Sequence, residues 1–160
     1  DAPYDHRAHD HRRDNLVFVT EPLGEPLEIT GPIRITLWAT SSAPDTDFTA
    51  RLIDVYPHGF AHPLCYGIVR ARYRESLAEP ALLQPGRVYE FTLPVQPTSN
   101  LFRPGHRIRL DISSSDFPNF DRNHNTGGDD YREANVAVAR QTISHDAEHP
   151  SHIILPVIPR

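Results

Sequence analysis

Lysine and methionine are both absent from this chain of 160 residues. All 16 basic residues are therefore arginine, and with 21 acidic residues the net charge is −5. A negative chain repels phosphate backbones unless a local basic patch offsets it, and no such patch is present, so nucleic acid is excluded as a partner. With no methionine to initiate it, the chain reads as a processed product or a piece of a longer one. Long apolar runs are missing too. No stretch approaches the roughly 18 apolar residues of a membrane span, so no membrane partner is expected. Asp1 to Asp14 is polar and rich in His and Arg, without the apolar centre of a signal peptide, and reads as a polar N-terminal arm. A single cysteine, Cys65, excludes an internal disulfide and a multi-thiolate metal site, and a cytoplasmic location is expected.

Helix is scarce as well. Prolines number 16 and run from Pro3 to Pro159, a spacing that long helices do not tolerate. The best helical stretch, Glu75 to Leu83, is interrupted by Pro80 and stopped at Pro85-Gly86, so it predicts one turn at most.

What the chain does contain is apolar alternation at period two, bounded by Pro, Gly, Asp and Ser. Ile33, Ile35, Leu37 and Ala39 share one face, opposite Arg34, Thr36, Trp38 and Thr40. The same pattern places Phe48, Ala50 and Leu52 together, then Tyr89, Phe91 and Leu93, then Ile108, Leu110 and Ile112 against Arg107, Arg109 and Asp111. Shorter runs at Leu16–Thr20, Leu64–Arg72, Val136–Ile143 and His152–Val157 bring the total to about eight strands. That set predicts an all-β jelly-roll sandwich spanning residues 15–160, behind an arm of residues 1–14, with Ile33, Ile35, Leu37, Phe48, Leu52, Tyr89, Phe91, Ile108, Leu110 and Ile112 in its core. The longest irregular stretch is Ser113 to Arg132, and a loop of that length in a compact domain is functional or docked against something.

Candidate chemistry is thin. No glycine is placed to form a G-x-S-x-G nucleophile elbow, and Ser113, Ser114 and Ser115 beside Asp116 read as strand-end hydrogen bonders. His145-Asp146-Ala147-Glu148-His149 matches the inverted zinc motif H-x-x-E-H, but the helix that would bring both imidazoles to one metal is missing, and polar turn residues are expected instead. His6, His9 and His11 lie on the arm without a rigid frame for a metal and read as part of a solvated linker. Asp121-x-Asn123-x-Asn125 opens like a calcium loop, yet Thr126 stands where glycine is required and Arg132 where the bidentate glutamate belongs. Asp47 and Asp121 are accordingly expected to be structural carboxylates, hydrogen-bonded by backbone donors or an arginine. Trp38 with the tyrosines is open to reading as a sugar-stacking platform, which would suit a free-standing carbohydrate-binding module, although one tryptophan on a strand more often packs.

Several short blocks occur in an order that resembles a known family. They are Glu21-Pro22-Leu23, Ile29 to Ile33, Ala43 to Phe48, Pro97 to Phe102 leading into Gly105 to Arg109, His145 to Pro150, and above all Ile112 to Gly128, ISSSDFPNFDRNHNTGG. From about Asn15 onward the chain is similar to the C-terminal domain of the cocaine esterase and X-prolyl dipeptidyl-peptidase group of serine hydrolases. The resemblance implies a galactose-binding-domain-like jelly roll that follows an α/β-hydrolase domain. It also implies that the catalytic serine, aspartate and histidine belong to that other domain. No catalytic residue, metal or cofactor is therefore assigned to this chain, whose expected partner is the α/β-hydrolase domain, with a homodimer as a further possibility. Apolar residues in a loop need cover, either by folding back on the sandwich or by a partner. Asp116, Phe117, Pro118, Phe120 and Asn125 are the residues expected to form a docking or pocket-facing surface within Asp116–Asn125.

Overall fold

The computed structural model describes residues 4–159. Its strands are β1 (Leu16–Val19), β2 (Leu27–Gly31), β3 (Arg34–Ser41), β4 (Asp47–Val55), β5 (Ala61–Arg70), β6 (Tyr89–Pro94), β7 (Thr98–Phe102), β8 (Arg107–Ser113), β9 (Gln141–Ser144) and β10 (His152–Ile154). Helical turns are confined to two short 3₁₀ segments, His6–His9 and Ala71–Tyr73. The stretch Glu75–Leu83 contains no helix, as its proline dictates.

One sheet runs β1-β8-β4-β5, and a second has β3 at its centre, with β6 on one side and β9 and β10 on the other. All pairings are antiparallel. β9 and β10 lie in line along the same edge of β3, interrupted by the turn at 145–150; Ser151 Oγ fills the break by accepting from the Trp38 amide at 2.8 Å. The result is the all-β sandwich that the alternation predicts, with more strands than expected. β2 and β7 pair with each other as a small separate sheet; β7 has no apolar alternation, and in β2 the alternation is confined to Leu27 and Ile29 against Glu28 and Thr30. In the opposite direction, the expected strand at Val136–Ile143 begins only at Gln141, because residues 134–140 have no strand neighbour and carry Val136 and Val138 fully outside.

The core sits between the two sheets. Ile33, Ile35, Leu37, Phe48, Leu52, Phe91 and Ile112 are buried there, with the Phe48 and Phe91 rings 4.7 Å apart, while Tyr89, Ile108 and Leu110 pack against it half-buried at the rim. Gly67 of β5 lies where the two layers touch most closely. A Cβ at that position would come within 2.3 Å of the Pro94 carbonyl oxygen, so only glycine allows β5 and the end of β6 to meet there.

Residues 4–15 do not form a solvated linker. The 3₁₀ turn at His6–His9 lies on the outer face of the β1-β8-β4-β5 sheet, and His6 is only 7% exposed. The cause is on β8, where Arg109 and Asp111 point away from the core yet are themselves buried, and buried charges require partners. His6 Nε2 stands 3.1 Å from Asp111 Oδ2, Asn15 Nδ2 donates to the same oxygen at 3.0 Å, and Arg109 Nη2 donates to Asp10 Oδ1 at 2.6 Å.

Candidate functional site

The long connection from β8 to β9, residues 114–140, is tied to one end of the sandwich by arginine–carboxylate pairs. Asp45 and Asp47 stand at the entrance to β4 and are almost wholly buried. Arg70, ending β5, donates through Nε and Nη2 to both oxygens of Asp47 at 2.9 and 3.1 Å, and through Nη1 to Asp130 at 2.9 Å. Such planar two-point pairing fixes direction as well as distance. Arg72, in the 3₁₀ turn after β5, gives its backbone N–H and Nε to Asp45 and its Nη1 to the Gly128 carbonyl at 2.8 Å. Asn123 Nδ2 closes the network by donating to Asp45 and Asp47 at 2.8 and 2.9 Å.

Asp47 is thus a structural carboxylate paired with arginine, as expected. Asp121 is held differently: its carboxylate accepts from the Tyr131 hydroxyl at 2.6 Å, and Arg70 reaches only its backbone carbonyl. Asp121, Asn123 and Asn125 do not converge as calcium ligands would. Asn123 points into the aspartate pair, and Asn125, at φ 62°, gives its backbone N–H to Asn123 Oδ1 and its side chain to the Ala137 carbonyl. One group of metal-ligating type lies in the loop among the described residues, unmarked by any sequence motif: His124, Asp130 and Glu133, with ligand atoms within 4.8 Å of one another. Its carboxylates already serve the loop, since Asp130 accepts from Arg70 and the His124 amide, and Glu133 from Thr126. His145–His149 is a turn in which Asp146 Oδ1 caps the amides of Glu148 and His149 at 2.9 Å. Trp38 is half-buried with its ring edge-on to His149 at 5.3 Å, so it packs.

The tip of the loop faces a groove of about 310 Å³ on the outer face of the sheet. Its floor is Thr49, Ala50 and Arg51 of β4 with Tyr66 of β5; one wall is the N-terminal segment at Tyr4, His6 and His9, and the other is Ser115 to Asn119. Arg51 fixes that second wall by donating from Nη2 to Asp116 Oδ1 at 2.9 Å while its guanidinium lies 5.2 Å from the Tyr66 ring centre. Beyond this anchor the apolar residues turn outward. Phe117 is 57% exposed, covered on one side only by Arg122 at 4.4 Å, and Pro118 is exposed as well. Phe120 meets Tyr66 edge-on at 6.1 Å and is also exposed. Of the residues expected to form the surface, Asp116 and Asn125 are engaged inside the domain, while Phe117, Pro118 and Phe120 are presented to the outside.

Cys65 lies buried in β5, and burial pushes its thiol up to about 11, which makes it an inert packing group. No helix of the described residues is long and apolar enough to cross a membrane.

The sequence pattern of the X-Pro dipeptidyl-peptidase C-terminal non-catalytic domain matches residues 2–154, and the chain belongs to that family. It is 50% identical to the cocaine esterase of Rhodococcus sp. (strain MB1 Bresler) over 99% of its own length and 28% of that protein's. Its fold superposes on an α-amino acid ester hydrolase with a TM-score of 0.93 at 37% identity, covering 98% of this chain and 27% of the other. An aminopeptidase from a marine sediment archaeon, Thaumarchaeota archaeon, matches with a TM-score of 0.90 at 34% identity over 98% and 28% of the two chains. The chain therefore spans just over a quarter of the length of these relatives.

Proposed function

We propose that this chain serves as the wall and docking element of a serine hydrolase that cleaves ester or X-Pro peptide bonds, with Asp116–Asn125 facing the α/β-hydrolase domain. The exposure of Phe117 directly beside the Arg51–Asp116 anchor carries this reading. An apolar ring held 57% exposed by a fixed framework contributes nothing to the isolated fold and suits a partner surface. A rigid sandwich edge placed there walls one side of an acyl or peptide pocket and excludes water from it. The ester bond follows the names of the cocaine esterase and the amino acid ester hydrolase, and the X-Pro bond follows the description of the family. Exposed Leu101, Val157 and Ile158, away from the loop, support a homodimer contact of the same hydrolase, and the single buried thiol suits a cytoplasmic setting.

The test compares two proteins. In the full-length hydrolase, Phe117→Ala and Phe120→Ala are expected to raise KM or weaken domain association by more than they lower the Tm of the 160-residue chain. Loss of several kcal/mol from the chain with unchanged kinetics in the hydrolase would make the segment core and remove the reading.

A further inference from the structure

β1 reads Leu16-Val17-Phe18-Val19, and all four side chains are close to half exposed, between 43% and 53%. A strand of a sandwich normally hides one face. Here the register puts Leu16 opposite Ile112 and Phe18 opposite Leu110, so these two lie on the core-facing side, yet the second sheet does not reach over them. Val17 and Val19, opposite Asp111 and Arg109, lie on the outer side.

β1 is also the last strand of its sheet, with no strand beyond it among the described residues. The Thr20 amide donates to the Ile108 carbonyl at 3.0 Å, and hydrogen-bonded pairs alternate along an antiparallel ladder. Phe18 and Leu16 therefore bond to β8, and Val17 and Val19 direct their N–H and C=O groups away from it. Natural edge strands are normally blunted by a charge, a proline or a bulge; these four residues contain none of them.

We infer that β1 is an edge-pairing site for an extended apolar segment of the α/β-hydrolase domain, which adds to the sheet along Val17 and Val19 and covers Leu16 and Phe18. The inference rests on the reading of the chain as a hydrolase domain, but it concerns a surface other than the loop tip. Two observations choose this occupant. The matched relatives carry nearly three-quarters of their length outside the part shared with this chain. In addition, the groove beside Phe117 and Pro118 is also lined by Asn15, which precedes β1, and by Ser113, which ends β8, so one partner surface can lie on both. Main-chain pairing would supply affinity, and the exposed apolar side chains on either face of β1 would supply register.

Residue-resolved amide exchange tests it on the full-length hydrolase and on the 160-residue chain. The Val17 and Val19 amides are expected to exchange at least tenfold more slowly in the full-length protein than in the chain. Val19→Pro, which removes an N–H that β8 does not use, is expected to raise the rate of proteolysis between the domains at least tenfold while leaving the Tm of the chain within a few degrees. Equal exchange of both amides in the two proteins overturns the inference, as does their protection in the chain alone accompanied by sedimentation as a dimer, which would make a second copy the occupant. Protection of Val17 and Val19 together with silent Phe117→Ala and Phe120→Ala variants would uphold β1 and refute the loop surface; the converse pattern would refute β1 alone.

Discussion

At β8 the two faces of the β1-β8-β4-β5 sheet are buried by opposite chemistry. On the inner face Phe48, Ala50, Leu52 and Ile112 are each exposed by 3% or less and meet only apolar neighbours of the facing sheet. On the outer face Arg109 and Asp111 are exposed by 6% or less, beneath a polar segment that satisfies them with His6, Asp10 and Asn15. Truncation in the dry layer loses burial and leaves a cavity, whereas losing one member of a buried ionic network leaves its partners desolvated. The inner face is therefore the generic stabiliser, and the outer face is a specific clamp that decides where residues 4–15 lie.

The largest effect should come from the inner face. Phe48→Ala is expected to cost about 3–5 kcal/mol, read as a lower urea midpoint with little change in slope. A loss below about 1 kcal/mol would mean that the sheets do not meet at Phe48. Next comes Asp111→Ala, expected to cost about 3 kcal/mol, since it strands His6 and leaves the buried Arg109 with Asp10 alone. It should also release residues 4–15, seen as faster proteolysis after Arg7 or Arg12. Cleavage there at the wild-type rate would show that the segment is held by other contacts.

Acid sharpens the same comparison. Burial pushes the Asp111 carboxyl upward, but hydrogen bonds from His6, Arg109 and Asn15 outweigh it and hold the group at about 2, against an ordinary value of 3.8. A folded pKa below the unfolded one means stability that is complete above the ordinary value and lost as pH falls through it toward the folded value. The window is therefore about pH 4 to pH 2, and the loss is on the order of 2 kcal/mol. Wild type should lose this increment over that window, and Asp111→Asn should show a flatter acid limb; identical limbs would remove Asp111 from the clamp. The smallest effect belongs to the loop tip, where Phe117→Ala should change the stability of the chain by no more than about 0.5 kcal/mol.

How much of this was legible in the sequence varies by element. β3, β4, β6 and β8 were readable because each alternates over several residues, and burial of alternate side chains is a local property of a strand. β2 and β7 were not, because the alternation of β2 is limited to Leu27 and Ile29 and Thr98 to Phe102 carries too little apolar pattern to show its pairing. Val136 and Val138 misled for the converse reason: the pattern is present, but no neighbouring strand and no core lie within reach. At the site, the apolar run through Phe117 and Phe120 announced a surface feature. The choice between folding back and facing outward rested on Arg51 anchoring Asp116 across the fold.

Composition and period-two alternation by themselves determined an all-β domain with a core on Ile35, Leu37, Phe48, Leu52, Phe91 and Ile112, together with a long polar loop after β8. Tertiary structure alone decided that the N-terminal segment is clamped, that Asp45 and Asp47 anchor the loop through Arg70 and Arg72, and that β1 is left with an open edge. The reason is physical: hydrophobic burial follows from residues a few positions apart, whereas the burial of a charge is tolerated only where a partner from elsewhere in the chain is brought within hydrogen-bonding distance.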